Sequence, residues 1–196
     1  SKRVIVLGEK FKQAIGVEGK FIDTVWPMIQ YCFANIFMGG GGYIISMYFT
    51  VFLTNVVGMD ISHATFIIMI ATIWDGINDP LMGLITDRTR SKYGRHRRYL
   101  LWSIPPLVVS YTMLWNSFGL DAKENPTICV LYYAFAYILY KTAYTMVDVP
   151  HTAMLPTLAP EYNKRTQYTS VSYIFNSVGM VPSYIILLIF LSVFGS

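Results

Sequence analysis

Charge is what this chain has least of. Only 13% of its 196 residues are Asp, Glu, Lys or Arg, and 54% are hydrophobic. Soluble domains carry roughly 25% charged residues, so a soluble globular class is excluded in favour of a membrane protein. Cysteine is nearly absent too. Cys32 and Cys129 both lie inside apolar runs, which excludes a disulfide framework or a zinc site and leaves them as small core residues. His63, His96 and His151 are scattered over segments read as loops, with no metal or nucleophile triad among them. An embedded enzyme is therefore not expected, nor a resident cofactor, nor a nucleic-acid partner. No signal peptide is read, because the first 24 residues alternate charge with apolar positions and lack a small-residue cleavage site.

What is present is long apolar stretches. A spanning helix needs about 20 mostly apolar residues. Five segments qualify: 25–54, 61–85, 99–118, 127–149 and 168–194, preceded by a tail over 1–24. The breaks between them read as turns or as a basic loop. Lys and Arg concentrate in the tail (Lys2, Arg3, Lys10, Lys12, Lys20), after the second span (Arg88, Arg90, Lys92, Arg95, Arg97, Arg98) and after the fourth (Lys164, Arg165), with Lys123 alone on the other side. By the positive-inside rule the N-terminus is cytoplasmic. The aromatic residues, 15 Tyr and 12 Phe, read mostly as lipid-facing or interfacial. The chain reads as a piece of a larger membrane protein, ending after its fifth helix.

Ionisable residues inside such spans are costly and mark function by default. Measured from Arg88 at the cytoplasmic surface, a rise of about 1.5 Å per residue puts Asp79 roughly 13 Å deep and Asp75 roughly 20 Å deep. The middle of a hydrocarbon core of about 30 Å lies between those depths. Asp75, Asn78 and Asp79 fall at i, i+3 and i+4 and share one helix face. Their oxygens suit a hard cation such as Na⁺, and two carboxylates this close can otherwise share a proton. The plain alternative is a helix cap or a solvated end.

The fourth span repeats the pattern. Lys141, Thr145 and Asp148 stand at i, i+4 and i+7, flanked by Tyr137 and Tyr144. Thr145 offers a neutral oxygen, and Asp148 can accept from substrate hydroxyls. Lys141 either pairs partly with Asp148, directly or through an intermediate group, or snorkels to the interface with no role. In the first span, Gly39 to Gly42 suit a tight helix crossing or a bending point.

These residues resemble a known family. "WDGINDP" (74–80) followed by "GLITDRTRSKYGRHRR" (83–98) is similar to the second helix and loop of the glycoside–pentoside–hexuronide:cation symporters. That is a melibiose-permease-like group within the major facilitator superfamily. "LTNVVGM" (53–59) and "AYTMVDVPHTAMLPTLAPEYNKRTQ" (143–167) fit the same pattern. The resemblance implies an all-α membrane protein, specifically the N-terminal helical bundle of the superfamily over 25–196, with about five of its six transmembrane helices present and the C-terminal half absent. It implies a cation site, sodium-binding if sodium is the coupling ion, made of Asp75, Asn78, Asp79 and Thr145. Asp148 falls on the sugar-binding aspartate. Gly83, Asp87, Arg88, Gly94 and Arg95 fall on the superfamily's cytoplasmic gate loop.

The sugar half departs from the family pattern. The first-helix aspartate falls on Gly39, the fifth-helix arginine on Tyr173, a tryptophan on Thr152, and a normally small residue on Lys141. Tyr173 joins Asp148, Lys141, Tyr137 and Tyr144 as a candidate substrate contact. Lys141 either binds a carboxylate such as a uronate or stands in for a cation beside the aspartates. The expected function is Na⁺- or H⁺-coupled symport of a sugar, glycoside or uronate by alternating access, in a bacterial inner membrane. The expected partners are the lipid bilayer, a small-molecule substrate and the C-terminal half of the same transporter. The alternatives are a lipid or lysolipid carrier of the same family and a non-transporting membrane scaffold or sensor.

Overall fold

Apolar runs of this length satisfy their backbone groups internally only by coiling into helices. The structure, a computed structural model, describes residues 21–89, 97–120, 122–123 and 125–194, with side chains over 25–89, 98–120, 122–123 and 125–185. Among the described residues there is no strand. The long helices are α1 (Phe21–Val51), continued by a wider π turn (Phe52–Val56), α2 (Ile61–Arg88), α3 (Arg97–Leu114), α4 (Pro126–Ala153) and α5 (Tyr162–Phe194); a single helical turn (Leu155–Leu158) precedes α5. The chain from α1 through its π turn, Val25–Val56, and α2 are each long and apolar enough to cross a membrane.

Local chemistry sets the ends. Gly58, with φ of +74°, turns the chain after the π turn. Asp60 then caps α2, its Oδ1 accepting from the Ser62 N–H at 3.2 Å. α3 stops at Leu114, short of the expected 118. The Asn116 amide donates to the Thr112 carbonyl at 2.9 Å, and Phe118 and Gly119 take left-handed φ values of 47° and 77°. Pro126 opens α4 where its missing N–H is not needed. α4 runs on to Ala153, so His151 lies in a helix and is buried rather than in a loop. His63 is on the exposed first turn of α2, and His96 lies outside the described residues.

The chain divides into two compact units. In one, Ser46–Met154, both α2 and α3 pack against α4. Its core is aromatic: Phe49 lies 4.8 Å from Tyr137, Phe52 lies 5.3 Å from Trp115, and Tyr132 and Tyr133 stand edge to face at 4.9 Å, all between ring centroids.

The other unit, Ser1–Ile45 with Leu155–Ser196, is built on α1 and α5. Val25, Met28, Cys32, Ala159, Tyr168 and Val171 form its buried cluster. Cys32, buried and outside any disulfide, has its Sγ 3.3 Å from the Ser172 hydroxyl. Further along, the glycine run makes a close crossing. A Cβ on Gly40 would stand 2.6 Å from the Gly179 carbonyl oxygen, and one on Gly179 would run into the Ile36 carbonyl. Ser183 seals the crossing by donating to the Gly40 carbonyl at 3.2 Å. Contacts 32 to 172, 40 to 183 and 43 to 184 advance together, so α1 and α5 run parallel.

Candidate functional site

The acidic turn of α2 faces α4. Its buried positions Ala64, Ile67, Ala71, Asn78, Met82 and Thr86 recur at helical spacing and set the face that packs. Asp75 borders this stripe half-buried, while Asp79 is exposed. Pro80 inside α2 has no N–H to give to the Gly76 carbonyl four residues back. One more oxygen beside the two carboxylates thus loses its usual helical partner, a signal the side-chain pattern alone did not reveal.

Two bridges join α2 to α4. The Lys141 ammonium donates to Asp75 Oδ2 at 2.8 Å, an ion pair whose side chains are 23% and 29% exposed. One turn on, the buried Thr145 hydroxyl donates to Asp79 Oδ1 at 3.0 Å. Both bridges span 66 residues in sequence. Partners that advance together in this way require α2 and α4 to run parallel, and the four-residue step on each helix puts both pairs in register. Beside them, Trp74 Nε1 donates to the Thr142 hydroxyl at 2.9 Å.

The structure thus brings Asp75, Asp79, Lys141 and Thr145 into direct contact. Lys141 takes Asp75 as its partner rather than Asp148, because the neighbouring helix offers a carboxylate at its own level while Asp148 lies two turns along. Asp148 is half-buried and within electrostatic reach of His151, Asp79 and Asp75. Tyr137 is within reach of Lys141 and Asp75, and Tyr144 of Asp148 and Asp75. Asn78 is buried, one turn from Asp75 and next to Asp79 in sequence, and its Nδ2 has no hydrogen-bond partner.

The chemistry open to this cluster follows from its protons. Thr145 has one hydroxyl proton but two acceptors at 3.0 Å, Asp79 Oδ1 and the Lys141 carbonyl. Donating to the carbonyl frees an oxygen lone pair toward Asp79. A half-turn of the Asn78 amide likewise exchanges an orphaned donor for an acceptor. The cluster can therefore present oxygen to a small cation without moving its backbone.

Other expected residues lie elsewhere. Tyr173 is on α5 in the other unit and is 72% exposed. Gly39, where the family's first-helix aspartate falls, has no room for a side chain, since a Cβ there would collide with the Asn176 carbonyl. Thr152 is exposed. Of the gate residues, Gly83 is half-exposed with open space around it, and Asp87 and Arg88 are exposed at the end of α2. Gly94 and Arg95 lie outside the described residues. The ends of that loop are tied by a 2.6 Å hydrogen bond between the Thr89 and Tyr99 hydroxyls.

Parallel helices bridged by polar groups within so apolar a chain fit a helical membrane bundle. The chain belongs to the family described as MFS/sugar transport protein, which it matches over residues 31–196. It is 36% identical over 145 residues to the uncharacterized symporter sll1374 of Synechocystis, covering 73% of this chain and 27% of that one. It is 30% identical to the putative glycoside/cation symporter YagG of Escherichia coli, covering 74% and 30%. It is also 26% identical to the sodium-dependent lysophosphatidylcholine symporter 1 of Gallus gallus, covering 71% and 26%. The chain thus spans less than a third of the length of each of these relatives. The family is one of transporters rather than enzymes and places the chain among membrane proteins.

Proposed function

We propose that the complete protein is a cation-coupled symporter of a sugar, glycoside or uronate, and that this chain is most of its N-terminal half. The observation that carries the reading is the paired bridge between α2 and α4. Carboxylates in a membrane span cost a few kcal/mol each to insert, yet two stand here with an ammonium, a hydroxyl and a buried amide around them. Asp75, Asn78, Asp79 and Thr145 form the cation site, with Na⁺ or H⁺ as the coupling ion. Asp148, Tyr137 and Tyr144 continue the same face toward a substrate.

Topology supports the bilayer reading. Helices an even number of crossings apart must run parallel, as α2 with α4 and α1 with α5 do. The excess of Lys and Arg in the N-terminal tail and after α2 and α4 puts those segments on the cytoplasmic side. Alternating access then moves this half against the C-terminal half around a site near the midplane. A lysolipid substrate is the second reading. It is favoured by the likeness to the lysophosphatidylcholine symporter and by the closed position at Gly39, where the sugar-binding aspartate has no space.

Uptake into vesicles holding the complete gene product, driven by a Na⁺ or H⁺ gradient, tests the reading. Accumulation should follow one of the two gradients and should lose that dependence in Asp79→Asn. A gradient response unchanged by Asp79→Asn overturns the site. Competition by uronates, glycosides or lysolipids then assigns the substrate.

A further inference from the structure

We propose that Lys141 is a tethered cation occupying the Asp75 half of this site, so that a sodium ion reaches Asp75 only when the ammonium has left it. The proposal rests on the symporter reading and specifies which ions the site accepts.

The geometry is that of occupation rather than proximity. An N to O distance of 2.8 Å is that of a charge-assisted hydrogen bond, with the ammonium donating directly to the carboxylate. Lys141 does not snorkel, because its ammonium ends on Asp75 within the helix pair. Its backbone carbonyl also receives the Thr145 hydroxyl, so one residue touches both bridges. The pair is about a quarter exposed on each side and is not sealed, so competition by a mobile ion is physically open.

Charge then decides selectivity. Asp75, Asp79 and Lys141 together carry one net negative charge, which a single added cation neutralises at Asp79. Removing the ammonium leaves two negative charges one helical turn apart and doubles the attraction for a cation bridging them. A second cation held about 4 Å from the ammonium is disfavoured by roughly a thousandfold at an effective dielectric of about 20. The ionisable groups within reach, which include Tyr137, Tyr140, Tyr144, Asp148 and His151, are the same with or without Lys141.

The test is a sodium titration of the complete protein, with choline replacing sodium at constant ionic strength. It is read both as thermal stabilisation in detergent and as uptake into proteoliposomes. Lys141→Gln and Lys141→Met should lower the half-saturating sodium concentration by about tenfold or more. Lys141→Arg, which keeps the charge, should respond as the wild type does. Asp75→Asn combined with Lys141→Gln removes the carboxylate that the ammonium holds and should lose the gain in sodium affinity seen in Lys141→Gln alone. Equal half-saturation in wild type and Lys141→Gln overturns the proposal, as does a shift in Lys141→Arg as large as that in Lys141→Gln. If the neutral single variants fold poorly, the double variant decides, and a half-saturating sodium concentration about tenfold below the wild type's counts against the proposal. Absence of uptake coupled to any cation gradient overturns the symporter reading alone, while the sodium-dependent thermal shift still judges Lys141.

Discussion

The two parallel helix pairs in this chain are joined by opposite means. α1 and α5 meet through missing side chains: Gly39, Gly40 and Gly179 let backbone lie against backbone, and Ser183 adds a hydrogen bond to a carbonyl. α2 and α4 meet through an ion pair and a hydroxyl–carboxylate bond set one turn apart. In a bilayer, lipid tails are as apolar as leucine, so helices associate by close packing or by polar contact. A glycine crossing has one geometry and no group that exchanges. A partly exposed ion pair can trade partners with an ion from solution. The chain therefore keeps its exchangeable chemistry on one seam and its fixed packing on the other.

Breaking the fixed seam should have the largest effect. Gly179→Leu drives a side chain into the Ile36 backbone, which cannot give way as a flexible side chain does. It should cost about 3 kcal/mol or more and sharply reduce the yield of folded protein by size-exclusion chromatography. Breaking the polar seam should separate stability from ion response. Thr145→Val leaves Asp79 without its hydroxyl donor. It should lower stability by about 1–3 kcal/mol and weaken the response to the coupling cation, both visible in a thermal-shift titration.

The glycines of α2 sharpen the contrast. A Cβ on Gly83 meets nothing within 4 Å, so Gly83→Ala should be neutral or stabilising by about 0.5–1 kcal/mol. Reduced uptake at undiminished thermal stability in that variant would place Gly83 in the gate. The smallest effect belongs to Trp74→Phe, which removes one exposed hydrogen bond to Thr142. It should lower stability by about 1 kcal/mol or less in the same melting assay.

Much of this was legible in the sequence, for reasons that differ by element. The helices follow from apolar length and from breaks at residues such as Gly58 and Gly119. The helix faces follow from i, i+4 spacing, which is why Asp75 with Asp79 and Lys141 with Thr145 stood out. The extent of α3 and α4 was less legible. Hydropathy marks where lipid would begin, whereas helix ends obey local dihedrals and caps, as at Leu114 and Ala153. His151 was misplaced for that reason: a polar residue beyond the apolar run reads as loop although the helix continues through it.

The amino-acid order by itself determined that this is a helical membrane transport chain, which faces of two helices carry polar groups, and which segments carry the positive charge. These depend on composition and on periodicity within one helix, and both are local. Tertiary structure decided that Lys141 ends on Asp75, that Thr145 donates to Asp79, and that the glycine run makes a close crossing. Those outcomes depend on the axial register between helices more than 60 residues apart in sequence, and no periodicity within either helix encodes that register. It is set only when the buried faces pack.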